Sequence, residues 1–434
     1  MRIALYGVAA GRTAGVGFVG ESALGYAPCV EKRTGHDVVV IGGGPSGMAA
    51  AYFAAKSGAD VLLVDVQPSP GEKILLSGGG RCNILPLSAD PSGYITDSSA
   101  HSLRKILLSW PLEEVRAFLE GPVGIRLIEQ KRTGKIFPAG SGGGEEVRDS
   151  LIKAMRRAGA RLRGRCRVVD ILPDERRRVV VESGPGIVAA RVIVATGGMS
   201  YPRTGSSGFG FEIAQRLGHT LVAPYPALVP LYGGTPAHHG LAGLSLPVRL
   251  AIGDARPTSW VGDFLFTHRG YSGPVVLNAA HAFARRRDVR VPVRVSWLDR
   301  SEEEWRSVLA PGPGMLRAAL DAALPGRLGD VLLDELGLRD ADRSTLRRED
   351  RTRLLQALTA YELPIDRAGG FAEAEVTGGG VPLGEVNPQT LASRLVPCVS
   401  FCGEVLDAFG PIGGHNFLWA FVTGRLAGIG ASTG

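Results

Sequence analysis

The stretch best equipped for chemistry is Asp37-Val-Val-Val-Ile-Gly-Gly-Gly-Pro-Ser-Gly47. An apolar run ends in Gly42-x-Gly44-x-x-Gly47, and Asp65 closes the next apolar run, "DVLLVD". In a strand–turn–helix setting, Gly42 permits the tight turn, Gly44 lets the backbone approach a pyrophosphate, and Gly47 lets helix and strand pack closely. Pro45 and Ser46 open the helix, whose first N–H groups lack intrahelical partners and carry the positive end of the dipole. A carboxylate about 20 residues on accepts hydrogen bonds from both ribose hydroxyls and disfavours a 2′-phosphate. Together these features point to an adenine dinucleotide rather than a bare phosphate.

Two further segments bear on which dinucleotide. In "LLSGGGRCNI" (75–84), three glycines precede a cation, a thiol and an amide. Such a loop can lie flat on an aromatic ring system while Arg81 and Asn83 reach its polar edge. Arg81 beside Cys82 would favour the thiolate. No CxxC mate accompanies Cys82, so packing or flavin contact is the better reading of the cysteines than disulfide chemistry. In "GEVLDAFGPIGGHNFLWAFVTGRLAG" (403–428), Glu404 follows a strand and is placed to hold a polyol chain. Gly413-Gly414 open a helix whose N-terminus would face negative charge developing on a flavin. His268 in "FTHRGYSGP" is a candidate proton donor or a plain loop histidine, and His415 either tunes the flavin edge or fills space. Tyr201 is either a ring-facing acid or packing. Phe417-Leu418-Trp419 reads as core helix.

The elements that must position these residues can be read from periodicity. Val38–Ile41 is a buried strand, Ser46–Ala59 an Ala-rich helix stopped near Gly58, and Asp60–Asp65 the next strand. Together they have the length of a parallel crossover. Helical spacing returns at 112–120 and 147–158, and strands at 166–172, 178–182 and 190–198. After Gly218, prolines punctuate short strands, and "VRVPVRVSWL" (289–298) alternates as antiparallel β structure does. Residues 301–365 are charged and Leu-rich with helical spacing. From Phe371, glycines and short strands resume. The expected organisation is an extension (1–34), a first domain (35–222), a β insert (223–300), a helical insert (301–368) and the completion of the first domain (369–434).

Composition narrows the class. The chain has 434 residues, 44% hydrophobic, and a formal net charge of +7. Its 61 glycines are scattered without a period, which excludes collagen-like and low-complexity classes. The basic clusters Arg176-Arg177-Arg178 and Arg285-Arg286-Arg287 each lie beside a strand-like segment and are not interleaved with aromatics, which argues against nucleic acid. Five cysteines, with no metal spacing, fit a reducing cytoplasm. No apolar run reaches the roughly 18 to 20 residues of a membrane span.

The segments "SGGGRCN", "ATGGMSYPRTGSSGFGFEIAQRLGH", "FLFTHRGYSGP", "VTGGGV" and "CGEVLDAFGPIGGHNFLWAFVTGRLAG" resemble, in this order, the NAD(P)/FAD-dependent oxidoreductase family that includes BaiN-type dehydro-bile-acid reductases and aminoacetone oxidases. The resemblance implies an α/β fold: a glutathione-reductase-like FAD-binding Rossmann domain interrupted by a β-barrel-like insert and a small helical insert. It implies FAD held by Gly42, Gly44, Pro45, Ser46, Gly47, Asp65, Lys73, Ser77, Gly79, Gly80, Arg81, Cys82, Asn83, Val168, Thr196, Gly197, Gly198, Gly403, Glu404, Gly413, Gly414 and Asn416. No metal is expected. Arg81 is the expected catalytic residue. The chain departs from the family pattern at Leu85-Pro86 (usually Thr-Asn), Phe209 (usually Asp) and His415 (usually Tyr).

The expected function is hydride transfer through flavin N5 between a reduced donor, NAD(P)H, and a small-molecule substrate. "TGSSGFG" (204–210) has the wrong spacing for a second dinucleotide turn, so NAD(P)H would dock transiently. Two alternatives remain: oxidation of a small amine by oxygen, and a non-catalytic FAD protein that binds RNA or another macromolecule.

Overall fold

The computed structural model describes residues 35–173, 178–254, 256–285 and 291–433. The expected N-terminal extension, Cys29, and the arginines Arg176, Arg177, Arg286 and Arg287 lie outside the described residues.

β1 (His36–Ile41), α1 (Pro45–Lys56) and β2 (Val61–Val64) form a parallel crossover, with Val38 paired to Val61 and Ile41 to Val64. Val38, Val39 and Val40 are fully buried, as a strand covered on both faces requires. Strand Ile187–Val194 pairs with β1 in parallel, and Arg161–Arg163 pairs with β2 in parallel. Val399–Phe401 arrives from far along the chain to pair in parallel with Ile187–Val194. The hairpin of Val168–Leu172 and Arg178–Val181 extends the same sheet in the antiparallel sense. This mixed sheet is the Rossmann-like core.

The C-terminal helix, His415–Ser432, closes this layer against α1. Eleven of its 18 residues are buried, so it has no polar face to turn to water. The two helices meet through glycine. A Cβ on Gly424 would lie 2.4 Å from the Ser46 carbonyl oxygen, and one on Gly428 2.4 Å from that of Ala50. His219 ties the first and last parts of the chain together, with Nδ1 2.7 Å from Glu385 Oε2 and Nε2 2.7 Å from Ser393 Oγ. This resembles a hydrolytic triad only in residue type. Ser393 Oγ is buried and accepts from the N–H groups of Leu395 and Val396, and none of the three residues lines the cavity described below.

A second core lies in residues 229–374. Seven antiparallel strands run in the order Tyr361–Glu362, Val293–Trp297, Ser245–Ile252, Thr258–Thr267, Gly270–Ser272, Leu231–Gly233, Ile365–Ala368. The two end strands are separated only by Leu363-Pro364, which span about 11 Å at most between Glu362 and Ile365. The sheet therefore curls until its edges approach one another. Leu363 N donates to the Val293 carbonyl, and the Pro364 carbonyl accepts from Gly234 N. The helices between 302 and 359 share one apolar cluster with this sheet, built on Trp297, Trp305, Phe264 and Phe266. The sheet also takes its end strands from beyond residue 360, since pairing follows hydrogen bonds rather than chain order. Among the described residues, no helix is long and apolar enough to cross a membrane, and the four cysteines are free thiols.

Two tests follow from this packing. Gly428→Val should lower stability by about 1–3 kcal/mol, the cost of overpacking a close contact, measured by urea unfolding of the holoprotein. The second test concerns His281 on helix Pro274–Ala284. It is wedged between Trp260 and Phe409, and neither ring nitrogen has a partner. Burial first, then the charge of Arg285, pulls its pKa from 6.5 down to about 4. The neutral ring is the folded form. Its contribution is complete above the unfolded value of 6.5 and is lost as pH falls toward about 4. The protein should lose about 2 kcal/mol from this group between pH 7 and pH 5, and His281→Phe should flatten that loss in melts across the range.

Candidate cofactor and active site

One cavity of about 800 Å³ runs along the carboxyl ends of the parallel strands, where ligands of open α/β sheets bind. Its first wall is the turn after β1. Gly42 sits at φ +101, and a Cβ there would lie 2.5 Å from the Ala195 carbonyl oxygen. Gly47 has no room either, since its Cβ would come within 1.9 Å of the Gly42 carbonyl oxygen. Gly44 differs, because a Cβ there would meet nothing within 4 Å and would project into open space. No side chain caps the N-terminus of α1, which begins at this point with Pro45. The first N–H groups of α1 are thus left for a ligand and attract negative charge.

Asp65 stands beside the turn. Its Oδ2 accepts from Gly43 N at 2.6 Å and its Oδ1 from Gln67 N at 2.7 Å. It braces the glycine turn while each oxygen keeps a lone pair for a ribose hydroxyl. Burial raises its pKa despite those two bonds. Val168 and Arg167 line this end of the cavity, with Thr204 and Gly205.

The middle is polar. Lys73, on the short helix Glu72–Leu76, donates to Glu404 Oε2 at 2.6 Å and to Ser200 Oγ at 2.5 Å. Glu404 Oε1 accepts from Ser200 Oγ at 2.8 Å and from Thr377 N at 3.1 Å. Two buried atoms have no partner: Asn83 Oδ1 and Thr196 Oγ1, on residues that line the cavity. Buried polar groups are nearly always satisfied, so these two stand out in the wall. At the far end, Gly413 and Gly414 open the C-terminal helix. A Cβ on Gly414, at φ +94, would lie 2.4 Å from the backbone of Leu85. Asn416 clamps this turn, with Oδ1 accepting from Gly410 N and Nδ2 donating to the Gly410 carbonyl, each at 2.9 Å. Tyr201, Glu375, Val376 and Ile412 complete this end.

A family model described as "HI0933-like protein Rossmann domain" matches residues 36–430. The chain belongs to this family. A "Ribosomal RNA dihydrouridine synthase" from Escherichia coli (strain K12) is 32% identical over 89% of this chain and 95% of its own. A "3-dehydro-bile acid delta(4,6)-reductase" from Clostridium scindens is 31% identical over 91% of this chain and 98% of its own. A solved 3-ketosteroid-delta4-(5alpha)-dehydrogenase from Rhodococcus jostii RHA1 overlays loosely, with a TM-score of 0.48 and 17% identity over 94% of this chain and 99% of that one. The family match, not the overlay, identifies the protein as an FAD-dependent oxidoreductase.

The cavity of this HI0933-like protein fits that cofactor. The open face at Gly44 and the uncapped α1 suit its pyrophosphate, and Asp65 its ribose. Of the residues expected at the cofactor, Gly42, Gly44, Pro45, Ser46, Asp65, Lys73, Ser77, Gly79, Asn83, Val168, Thr196, Gly197, Glu404, Gly413, Gly414 and Asn416 line the cavity. Gly47, Gly198 and Gly403 stand behind its walls as close-contact positions. A Cβ on Gly198 would strike Thr377, and one on Gly403 would strike Ser46.

One group of expected residues lies elsewhere, and two open readings narrow. The loop after Gly79 turns sharply, so Gly80, Arg81 and Cys82 do not line the cavity. Arg81 is exposed, with its guanidinium 5.2 Å from the centroid of Phe137. Cys82 is fully buried, and burial pushes its thiol up to about 11, so Arg81 does not make it a thiolate. His268 is exposed in the tight turn joining Thr258–Thr267 to Gly270–Ser272, outside the cavity lining. His415 is also outside the lining, with its ring against Tyr94 and its pKa pulled to about 4 by burial. Phe417 and Trp419, by contrast, serve both core and cavity wall. The sequence reading missed Glu375 and Ser200. Glu375 in "EAEV" alternates like any solvent-facing strand residue, and only the segment's place at the cavity marks it.

Gly44→Val should fold normally and lose FAD, because its side chain enters the cavity rather than the protein. Gly47→Val should fail to fold, because it strikes the backbone. Flavin absorbance after gel filtration and thermal melts separate the two outcomes. Arg81→Met should keep its flavin and hold turnover within about fivefold of the parent, the scale of an exposed cation–π contact.

Proposed function

We propose that the protein reduces a carbon–carbon double bond conjugated to a carbonyl group, with a reduced nicotinamide as electron donor. The names of two relatives support this reading. Dihydrouridine is uridine whose ring double bond, conjugated to a carbonyl, has been saturated. A 3-dehydro bile acid with delta(4,6) unsaturation carries double bonds conjugated to its 3-oxo group. One substrate is a base in RNA and the other a sterol acid, and the activated double bond is what they share.

The observation that carries the reading is the single continuous cavity, cradle at one end and open polar chamber at the other. Bound FAD supplies two-electron hydride chemistry. The chain's own residues hold and orient. The α1 N-terminus takes the phosphates, Asp65 the ribose, and the Lys73–Glu404–Ser200 cluster sets the charge of the middle wall. With one strand–GxGxxG–helix unit in the sequence, the nicotinamide donor enters by the open chamber and leaves before the substrate enters.

One observation favours a uracil ring in RNA over a sterol. The guanidinium carbons of Arg269 and Arg367 lie over the ring of Tyr232, 4.8 and 4.3 Å from its centroid. Both arginines are exposed, and neither has an ion-pair partner among the described residues. Exposed guanidinium planes can stack on bases and pair with phosphates. Tyr232 Oη reaches Glu373 at 3.5 Å, two residues before Glu375, which lines the cavity.

The test is anaerobic reduction of the purified yellow protein by NADH and by NADPH, followed by oxidants in parallel: a 3-oxo-4-ene steroid, a uridine-containing ribosomal RNA transcript, and oxygen with a small amine. The expected result is donor-dependent bleaching and stoichiometric reoxidation by one of the two conjugated substrates. Reoxidation confined to oxygen, with amine reducing the flavin directly, would replace this reading with an amine oxidase.

A further inference from the structure

Five acidic side chains line the cavity: Asp65, Glu72, Glu212, Glu375 and Glu404. Four have evident structural places. Asp65 braces the glycine turn. Glu404 is held by Lys73, Ser200 and Thr377. Glu212 pairs with Arg216 at 3.5 Å on an exposed helix face. Glu72 stands at the ribose end, where its charge acts on Asp65. The Glu375 side chain has no hydrogen bond or ion pair among the described residues. It lines the cavity and is exposed there.

Its surroundings place it at the Gly413 end. Lys135 acts electrostatically on Glu375, and the Lys135 side chain lies 3.7 Å from where a Gly413 Cβ would stand. Facing it from the other elements are Lys73, on helix Glu72–Leu76, and Tyr201. Tyr201 is itself unusual. It is a non-glycine residue at φ +50, held there by a hydrogen bond from its N–H to the Phe371 carbonyl. Its phenol makes no hydrogen bond among the described residues. Strain of this kind persists where surrounding structure demands it, and it collects at functional sites. Two unbonded acids, Glu375 and Tyr201, thus line the same cavity and act on one another electrostatically.

We propose that Glu375 is the proton donor for reduction of the double bond, delivering its proton to the substrate carbon adjacent to the carbonyl. The inference rests on the conjugated-double-bond reading above. Saturating the bond takes two electrons and two hydrogens. A hydride equivalent, drawn from the reduced nicotinamide, which leaves oxidised, adds to the carbon remote from the carbonyl. The π pair moves onto the carbonyl oxygen as an enolate. The enolate carbon then takes the Glu375 proton, leaving a carboxylate that regains a proton from chamber water. The charges fit both stages. Burial outweighs the two lysines and raises the Glu375 pKa, so the acid keeps its proton to higher pH than an ordinary glutamate. Lys73 and Lys135 then offset the carboxylate left behind.

The test compares parent, Glu375→Gln and Glu375→Asp holoprotein, each checked for flavin content and melting temperature. Bleaching by the nicotinamide donor should still go to completion in all three, which shows that each variant holds a reducible flavin. Reoxidation by the conjugated substrate should fall about 10²- to 10⁴-fold in Glu375→Gln, the range for losing a general acid, and recover in part in Glu375→Asp. In the parent that rate should decline with rising pH, and in Glu375→Gln it should be flat. A readout independent of turnover is the infrared carbonyl band of a protonated carboxylic acid, expected at pH values where an ordinary glutamate is ionised and absent from Glu375→Gln. If the parent is reoxidised and Glu375→Gln matches it, or if the band is the same in both, Glu375 is not the donor and the double-bond reading stands. If no conjugated substrate reoxidises the parent, the double-bond reading fails and takes this proposal with it.

Discussion

The first turn of α1 is the constraint on which the site depends. Its N–H groups must stay uncapped and aimed at a ligand, yet the same turn is packed on two sides. On one side the strand presses close enough that Gly47 all but touches Gly42. On the other, the C-terminal helix lies so near that Gly424 and Gly428 meet the carbonyls of Ser46 and Ala50. A side chain at any of these places would move the turn, and with it the anion site. Asp65 adds an electrostatic brace, since its carboxylate holds the Gly43 N–H. The protein therefore spends its glycines where backbone meets backbone. It leaves one, Gly44, facing open space.

Around this fixed end the rest of the cavity is assembled from distant parts of the chain. Lys73, Ser200, Thr377 and Glu404 come from four separate segments and satisfy one another in the cavity wall. The cost of placing charge in a low-dielectric wall is offset by pairing it and filling its remaining hydrogen-bond sites. The second core contributes from outside the mixed sheet. Asn278, on the helix containing His281, accepts a hydrogen bond from Ile412 N at 2.9 Å and so steadies the loop leading into Gly413 and Gly414. The antiparallel sheet and its helices thus border the chemistry rather than hang from it.

Much of this was legible along the chain. Val38–Ile41, the Ala-rich helix and Val61–Val64 are local patterns whose period and glycine spacing dictate a crossover. The strand boundaries shift by a few residues, because sheet ends are settled by hydrogen-bond partners rather than by propensity. The curled antiparallel sheet was legible in type, from the alternation in 289–298, but not in extent. Tyr361–Glu362 and Ile365–Ala368 belong to it although they follow the helical stretch. No periodicity in a single segment announces which distant strand it will join.

What the sequence determined by itself was the dinucleotide cradle and the family, because both rest on residues close together in the chain and on motifs in fixed order. What only the tertiary structure decided was the direction of individual side chains. Arg81 and Asn83 share one short loop, yet the turn sends the guanidinium over Phe137 and leaves the amide at the cavity. Cys82, between them, is turned into the core, where burial overrides its charged neighbour. Glu375 went unnoticed because the run Glu373-Ala-Glu-Val376 is ordinary until the opposite wall is known; it stands in the bend before Val376–Gly380. Chemistry at a site depends on distance and dielectric, and both are properties of segments brought together by folding.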